Sequence, residues 1–225
     1  MANVNVNVGD HYEKLSIYTI DLHGTKITVT VTAFPSVVKK WLTTTLLFRR
    51  HYVRKNQLVV GLGVQKNQLV VGLGVQWLPR RRNVTAATLQ ICVGQRCLIF
   101  QLAQAESVPE RLRRFLNDPN HTFVGFCNKS DNRKLKSSKH ELEMFGDPLD
   151  LRLYAAKLCN EDLEGASMEE IVKKCVGYDL DQSRDIGKSD WSEENLNEDQ
   201  VGYGCVDAYC AFLMGKNMKA WELRK

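Results

Sequence analysis

Two acidic residues and one tyrosine occupy positions from which they could act together on a substrate. Tyr203 and Asp207 are four residues apart in a segment with helical periodicity, so both fall on one face of that helix. Asp131 follows the apolar segment TFVGFC and begins a polar segment with helical character. Converging carboxylates can hold divalent cations. The residues alone also leave open a helix cap at Asp131 and an ordinary surface pair at Tyr203 and Asp207.

The whole chain carries a net charge of +5, and its basic residues are concentrated in the first half. Arg80, Arg81 and Arg82 form one uninterrupted run, whereas acidic residues cluster between Glu161 and Asp199. Clustered positive charge predicts a polyanionic partner such as nucleic acid. The alternative for these clusters is a set of solvated helix faces.

The cysteines and the lengths of the apolar runs predict the cellular compartment of the protein. The seven cysteines form no CxxC pair, which favours reduced thiols in a cytoplasmic or nuclear protein. No apolar run approaches the roughly 18 residues that a membrane span needs. We therefore expect no membrane partner.

Apolar and polar periodicities predict an α/β domain, a mixed sheet with helices on both faces. Glycine turns at His23-Gly24-Thr25 and at Val93-Gly94-Gln95-Arg96 indicate two hairpins. Ser167 is predicted to cap a helix over SMEEIVKKCVG, and NEDQVGYGCVDAYCAFLMGKNM is predicted to be a final helix of about five turns. The polar segment NRKLKSSKHELEMF is also predicted to be helical.

The chain is predicted to hold one domain, residues 15–218, between a flexible arm (1–14) and a C-terminal tail (219–225). The domain contains an exact tandem duplication: the segment KNQLVVGLGVQ at Lys55–Gln65 is repeated at Lys66–Gln76. The nearly continuous apolar run in each copy is typical of a strand buried on both faces. The second copy is expected to be the central strand, and the first a loop or an added edge strand.

Seven segments occur in an order that resembles a known family. They are VVGLGVQW, LQICVGQRCLIFQL, FVGFCNKSDNRKL, LDLRLYAA, SMEEIVKKCVGY, SDW and QVGYGCVDAY. Their order is similar to that of the 3′-5′ exonuclease domain of Werner-syndrome type, especially the plant proteins that include the RISC-interacting clearing exoribonucleases. The resemblance runs from about Leu69 to Met214. It implies an RNase H-like fold of the DnaQ exonuclease type.

The resemblance also implies a chemistry. Members of that superfamily hydrolyse the terminal phosphodiester of RNA or single-stranded ends with two divalent cations, Mg²⁺ or Mn²⁺, held by four carboxylates. Asp131 and Asp207 match the metal-binding aspartates of the later motifs, and Tyr203 matches the tyrosine that orients the attacking water. The plant relatives assemble as homo-oligomeric rings, so the resemblance implies a homo-oligomer here.

The first acidic motif is degenerate. The family's Asp-x-Glu positions are Gly74 and Gln76 in the second copy and Gly63 and Gln65 in the first, so neither copy supplies a carboxylate. Glycine offers no ligand, and a glutamine carbonyl suits Mg²⁺ poorly without added charge. Cation binding is therefore expected to be weak or absent. Three functions stay open: an exonuclease of reduced activity, a catalytically impaired subunit for binding or assembly, and a chain that works only beside active homologues.

Overall fold

The computed structural model describes residues 5–12, 15–57, 68–78, 85–159, 163 and 165–223. Strands dominate the first half of this described chain, and a run of helices ends it. The strands are β1 (Asn5–Tyr12), β2 (Leu15–Leu22), β3 (Thr25–Thr32), β4 (Leu69–Trp77), β5 (Ala86–Val93), β6 (Arg96–Phe100), β7 (His121–Gly125) and β8 (Leu149–Asp150). The helices are α1 (Pro35–Gln57), α2 (Glu110–Leu116), α3 (Asp131–Lys136), α4 (Arg152–Cys159), α5 (Met168–Val176), α6 (Arg184–Gly187), α7 (Glu198–Asn217) and α8 (Ala220–Leu223).

These strands form one sheet in the order β1-β2-β3-β6-β5-β4-β7-β8. The pairs β1/β2, β2/β3, β5/β6 and β4/β5 are antiparallel. The pairs β3/β6, β4/β7 and β7/β8 are parallel. The sheet is therefore mixed, and both predicted hairpins are present as β2/β3 and β5/β6.

Helices cover both faces of this sheet, as the segment order predicts. On one face, Trp41 of α1 and Leu112 of α2 belong to a buried apolar cluster with β5 and β6. On the opposite face, Ile171 of α5 and Val206 of α7 belong to a second buried cluster. The predicted capping box of α5 is present, with Ser167 and Glu170 hydrogen-bonded to each other's backbone.

The second copy of the duplicated segment supplies the central strand β4, between β5 and β7. Of the first copy, Lys55–Gln57 are the last residues of α1. Residues 58–65 lie outside the described part of the chain, so the predicted loop or edge strand there stays a prediction.

The structure differs from the prediction at both ends of the domain, where ordered residues replace the predicted arm and tail. Residues 5–12 of the predicted flexible arm form strand β1, in which Val6 pairs with Ile20 and Val8 pairs with Tyr18. Val6 packs against the buried core, and pairing with β2 outweighs the poor strand propensity of asparagine. At the predicted tail, Ala220 is buried and Trp221 packs against the core.

The polar segment after β7 is helical only at its start, so the prediction of a long helix there is wrong. Helix α3 covers Asp131–Lys136. The Ser137 hydroxyl then donates to the Arg133 carbonyl and the Ser138 hydroxyl to the Leu135 carbonyl. Such side-chain hydrogen bonds compete with continued helix.

The cysteines are also not all reduced thiols, because Cys175 is disulfide-bonded. Five others are free: Cys92, Cys97, Cys127, Cys205 and Cys210. Among the described residues, no helix is long and apolar enough to cross a membrane.

Helix α7 approaches β4 so closely that a glycine is required between them. A Cβ added to Gly72 would lie 1.8 Å from the Ala208 carbonyl oxygen and 2.8 Å from the Phe212 nitrogen. Both are backbone atoms inside α7 and cannot move aside. By contrast, a Cβ on Gly74 would meet the end of a side chain, the Gln90 Oε1 atom, at 2.9 Å.

We expect Gly72→Ala to lower the free energy of unfolding by at least about 1–3 kcal/mol, the usual cost of overpacking a core. The matched variant Gly74→Ala should cost clearly less, because the Gln90 amide can rotate. Urea unfolding followed by circular dichroism measures both. Equal losses would show that α7 is not packed on β4 as described.

Candidate active site

The candidate residues lie where three parallel strands end. The carboxyl ends of β4, β7 and β8 share one edge of the sheet, which is the usual location of sites in open α/β sheets. Asp131 begins α3 after β7, and Asp150 is the last residue of β8. Gly74 and Gln76 belong to the second half of β4.

Helix α7 brings Tyr203 and Asp207 to this edge. Successive glycines show its path over β4: Gly204 lies against Gln90, the partner of Gly74 in β5, and Ala208 lies against Gly72. Gly215 then contacts Val70. The helix thus runs antiparallel to β4, and Asp207 is level with the Gly72–Gly74 stretch.

Asp207 is a carboxylate in an environment that disfavours its charge. Burial, and secondly the negative charge of Glu169 on α5, raise the pKa of Asp207 to about 7, although a hydrogen bond from the Gln182 amide opposes the shift. Its Oδ1 atom is buried and has no hydrogen-bond partner. Gln182 also donates from Nε2 to the Tyr203 carbonyl, 3.2 Å away, which ties it to this turn of α7.

Tyr203 stands one turn before Asp207, on the same side of α7. Its ring makes an edge contact with Trp191 at 6.1 Å between centroids. A Cβ on Gly187 would lie 2.7 Å from its hydroxyl, so a side chain at position 187 would displace the phenol. Burial and the charges of Asp207 and Glu169 raise the pKa of the Tyr203 phenol well above its ordinary value. The phenol therefore stays neutral and can donate a hydrogen bond.

Asp131 is buried at the start of α3 and is held by two neighbours. Burial raises the pKa of Asp131 to about 6, which the charge of Lys134 and a hydrogen bond from the Trp77 indole partly oppose. The Lys134 ammonium lies 5.1 Å from the centre of the Trp77 ring. The two neighbours are thus also in contact with each other.

Asp150, a further acid at this edge, already has a partner. The Arg152 guanidinium donates to both of its carboxylate oxygens, at 3.0 and 2.6 Å. A bidentate pair of this kind offsets the charge of the carboxylate. Asp150 therefore does not replace a missing acid of the first motif.

The first motif is neutral in the structure as well. The Gln90 side chain occupies the space beside Gly74, with its Oε1 2.9 Å from the position of a Cβ there. Among the described residues, no group of three or more histidine, cysteine, aspartate or glutamate side chains is arranged to hold a metal ion. This donor set does not fit two divalent cations.

The structure thus brings Tyr203 and Asp207 together on α7, and Asp131 contacts Trp77 and Lys134. The predicted nucleic-acid-binding residues Arg80, Arg81 and Arg82 lie outside the described residues, as do Gly63 and Gln65. Sequence reasoning missed Glu169, Gln90 and Gln182, whose proximity depends on tertiary packing. Only the pairing of Gln90 with Gly74 could have been inferred, from the register of the β4/β5 pair.

A family described as "3′-5′ exonuclease" matches residues 76–220. A 3′-5′ exonuclease of Drosophila melanogaster is 29% identical over 146 residues, covering 61% of this chain and 40% of that protein. One of Drosophila willistoni is 27% identical over 143 residues, covering 61% and 39%. The chain thus spans about two fifths of the length of these relatives.

Solved structures share the fold at low identity. Escherichia coli RNase D, an exoribonuclease, superposes with a TM-score of 0.57 at 18% identity, over 68% of this chain and 39% of that one. The Aedes aegypti Nibbler EXO domain gives 0.55 at 15%, over 70% and 81%. Brucella melitensis NrnC bound to pGG gives 0.54 at 17%, over 72% and 78%.

The raised pKa of Asp207 predicts a pH dependence of stability in the absence of divalent cations. Between its ordinary value of 3.8 and about 7, the folded state holds the Asp207 proton more tightly than the unfolded state. Folding stability therefore falls as the pH rises through this window. We expect Asp207→Asn to be more stable than the parent at pH 8, by about 1–3 kcal/mol, and the gain to shrink towards pH 4.5.

Urea unfolding in EDTA at both pH values measures the difference, with Asp147→Asn on the exposed surface as the control. A gain for Asp207→Asn that is the same at both pH values would contradict a buried, proton-binding carboxylate.

Proposed function

Because the chain belongs to the 3′-5′ exonuclease family, we propose that it binds the 3′ end of RNA or single-stranded DNA and that its two-metal hydrolysis is impaired. The observation that carries this proposal is the neutral first motif, in which Gly74 and Gln76 offer no carboxylate and Gln90 fills the space beside Gly74, while Tyr203 and Asp207 are retained. The order of the sequence segments further supports a place in the plant, Werner-like branch.

Electrostatics gives the reason for impaired hydrolysis. Two unit charges 4 Å apart interact by about 4 kcal/mol at an effective dielectric of 20. Two carboxylates are missing at Gly74 and Gln76, and Arg152 neutralises Asp150. Asp207 and Asp131 are the residues that would hold Mg²⁺ or Mn²⁺, but they supply too little negative charge to offset the repulsion between two divalent cations.

Nucleic-acid binding is supported by charge and by a structural relative. The chain has a net charge of +5 with basic clusters in its first half. The Brucella melitensis relative is a protein bound to pGG. Phosphate contacts from arginine are the usual source of such affinity.

Residual hydrolysis is a second candidate, favoured by Glu169. This carboxylate acts electrostatically on both Asp207 and Tyr203, so α5 restores part of the negative charge that the first motif lacks. In this candidate the neutral Tyr203 hydroxyl orients the attacking water.

Self-association is part of the proposal. Leu47 and Phe48 on α1 are 56% and 62% exposed, and β1 is an edge strand of the sheet. Apolar residues and unpaired strand edges on a surface favour contact with another copy. Such an assembly would suit a subunit that works beside active homologues.

Restoring the acids should restore hydrolysis. We expect the parent to trim a labelled RNA slowly or not at all in Mg²⁺, while still binding it. The double variant Gly74→Asp/Gln76→Glu should trim at least about tenfold faster, which corresponds to 1.4 kcal/mol of barrier. Adding Asp207→Asn to the double variant is the control and should abolish the gain. A parent that trims as fast as the double variant would contradict impaired hydrolysis.

Binding should depend on the arginine run. Changing Arg80, Arg81 and Arg82 together to alanine should reduce the slope of log K against log salt by about 2, since each lost phosphate contact on a single strand removes about 0.7. The control changes three lysines that are exposed in the structure, Lys26, Lys39 and Lys40, and so loses the same charge. Equal slopes for the two triple variants would place the binding surface elsewhere.

A further inference from the structure

One lysine beside the candidate site has no acceptor for its hydrogen bonds. Lys134 lies on α3, one turn after Asp131, and is partly buried. Among the described residues, no carboxylate forms an ion pair with its ammonium, and no oxygen accepts a hydrogen bond from it. An ammonium carries three donors. These donors are therefore available to a ligand.

The next two lysines along the chain differ from Lys134 in this respect. The Lys136 ammonium is paired with the Glu143 carboxylate, and the Lys139 ammonium donates to the Ala105 carbonyl at 3.0 Å. Both lysines are more exposed than Lys134. Withdrawing a charged group from water is costly unless the protein or a ligand provides partners. Lys134 is thus the lysine of this segment whose position calls for a ligand.

Trp77 holds the Lys134 ammonium in place. The ammonium lies 5.1 Å from the centre of the Trp77 ring, within the range of a cation–π interaction. The indole of the same tryptophan donates a hydrogen bond to Asp131, whose charge also attracts Lys134. One edge of the ring is therefore fixed by Asp131, and one face orients the ammonium. A group that is already oriented loses less entropy when it binds a ligand.

The surroundings of Lys134 are open to solvent. The charges of Asp131, Asp150 and Asp207 all act on the thiol of Cys127, which lies between β7 and α3. Cys127 is exposed. An exposed residue thus lies near carboxylates of both α3 and α7, so a ligand can approach this edge of the sheet from solvent.

Positive charge prevails on the α3 side of this edge. Residues 129–136 contain four basic side chains and one acidic side chain. Two of the basic residues, Lys129 and Arg133, are exposed beside Lys134. Farther along the edge, Arg152 offsets the charge of Asp150. A local excess of positive charge favours a phosphate group.

We propose that the Lys134 ammonium, oriented by Trp77, binds a backbone phosphate directly, so that the chain holds a single-stranded 3′ end without a divalent cation. This inference rests on the proposed function and names the group that holds the phosphate in it. Two-metal hydrolysis instead links the phosphate to the protein through cations and carboxylates. A lysine can replace that link for binding, because its ammonium donates charged hydrogen bonds to phosphate oxygens.

The first test compares binding with and without Mg²⁺. The full chain is titrated into a short 5′-labelled single-stranded RNA, and fluorescence anisotropy reports the affinity in EDTA and in Mg²⁺ at equal ionic strength. Gel electrophoresis checks that the RNA stays intact. We expect binding in EDTA to be at least as tight as in Mg²⁺, because Mg²⁺ acts here only as a competing counterion.

The second test removes the charge of Lys134. Lys134→Met should weaken binding in EDTA severalfold and reduce the slope of log K against log salt by about 0.7, the value for one phosphate contact on a single strand. Lys134→Arg keeps the charge and should keep the slope. The matched control is Lys136→Met, which loses the same charge from the same helix. It should keep the slope of the parent, because Lys136 is already paired with Glu143. Thermal melting checks that each variant is folded.

Three outcomes separate this inference from the proposed function. A parent that binds RNA only in Mg²⁺, or equal slopes for Lys134→Met and Lys136→Met, would overturn the inference and leave RNA binding standing. A parent that binds no RNA in either buffer would overturn both. Rapid trimming in Mg²⁺ by a parent that also binds through Lys134 in EDTA would count against impaired hydrolysis alone.

Discussion

The backbone contact between α7 and Gly72 of β4 determines the geometry of the rest of the site. The Ala208 carbonyl comes so close to the strand that no side chain at position 72 could fit. This contact sets the height of α7 over the sheet and therefore the height of Tyr203 and Asp207 beside the ends of the strands. Any larger separation would move α7 away from Gly72 and Gln90.

Charge is distributed at this edge in an unusual way for a phosphodiester-cleaving fold. The charge of Asp150 is offset by Arg152, and Asp131 is stabilised by Trp77 and Lys134. For Asp207, burial and the charge of nearby Glu169 disfavour the ionised carboxylate, and one amide, that of Gln182, donates a hydrogen bond to it. The result is a site rich in neutral carbonyl oxygens and poor in free carboxylates, which does not suit two divalent cations.

Local signals in the sequence predicted most of the elements. The hairpin turns at Gly24 and Gly94 and the capping box at Ser167 depend on neighbouring residues alone, and each is present. Strand β1 was not predicted, because it is stabilised by pairing with β2. The low strand propensity of its asparagines gives no information about that pairing. The helix after Asp131 was predicted too long because Ser137 and Ser138 bond back to the backbone.

Only those residues of the site that belong to a recognisable sequence motif could be predicted. Tyr203 and Asp207 follow from their spacing and from the resemblance, and the neutral first motif follows from Gly74 and Gln76. Glu169, Gln90 and Gln182 belong to three different segments that meet at α7 through tertiary packing. No spacing within the chain brings them together, so their roles could be argued only from contacts.

The central claim is that this edge of the sheet does not hold the two divalent cations that two-metal hydrolysis needs. Anomalous diffraction at the manganese edge, from crystals grown with Mn²⁺ and a nucleoside monophosphate, tests it most directly. The account predicts no pair of peaks beside Asp207, with Asp131 still bonded to Trp77. Two peaks about 3.5–4 Å apart, with Asp131 as a ligand, would contradict it.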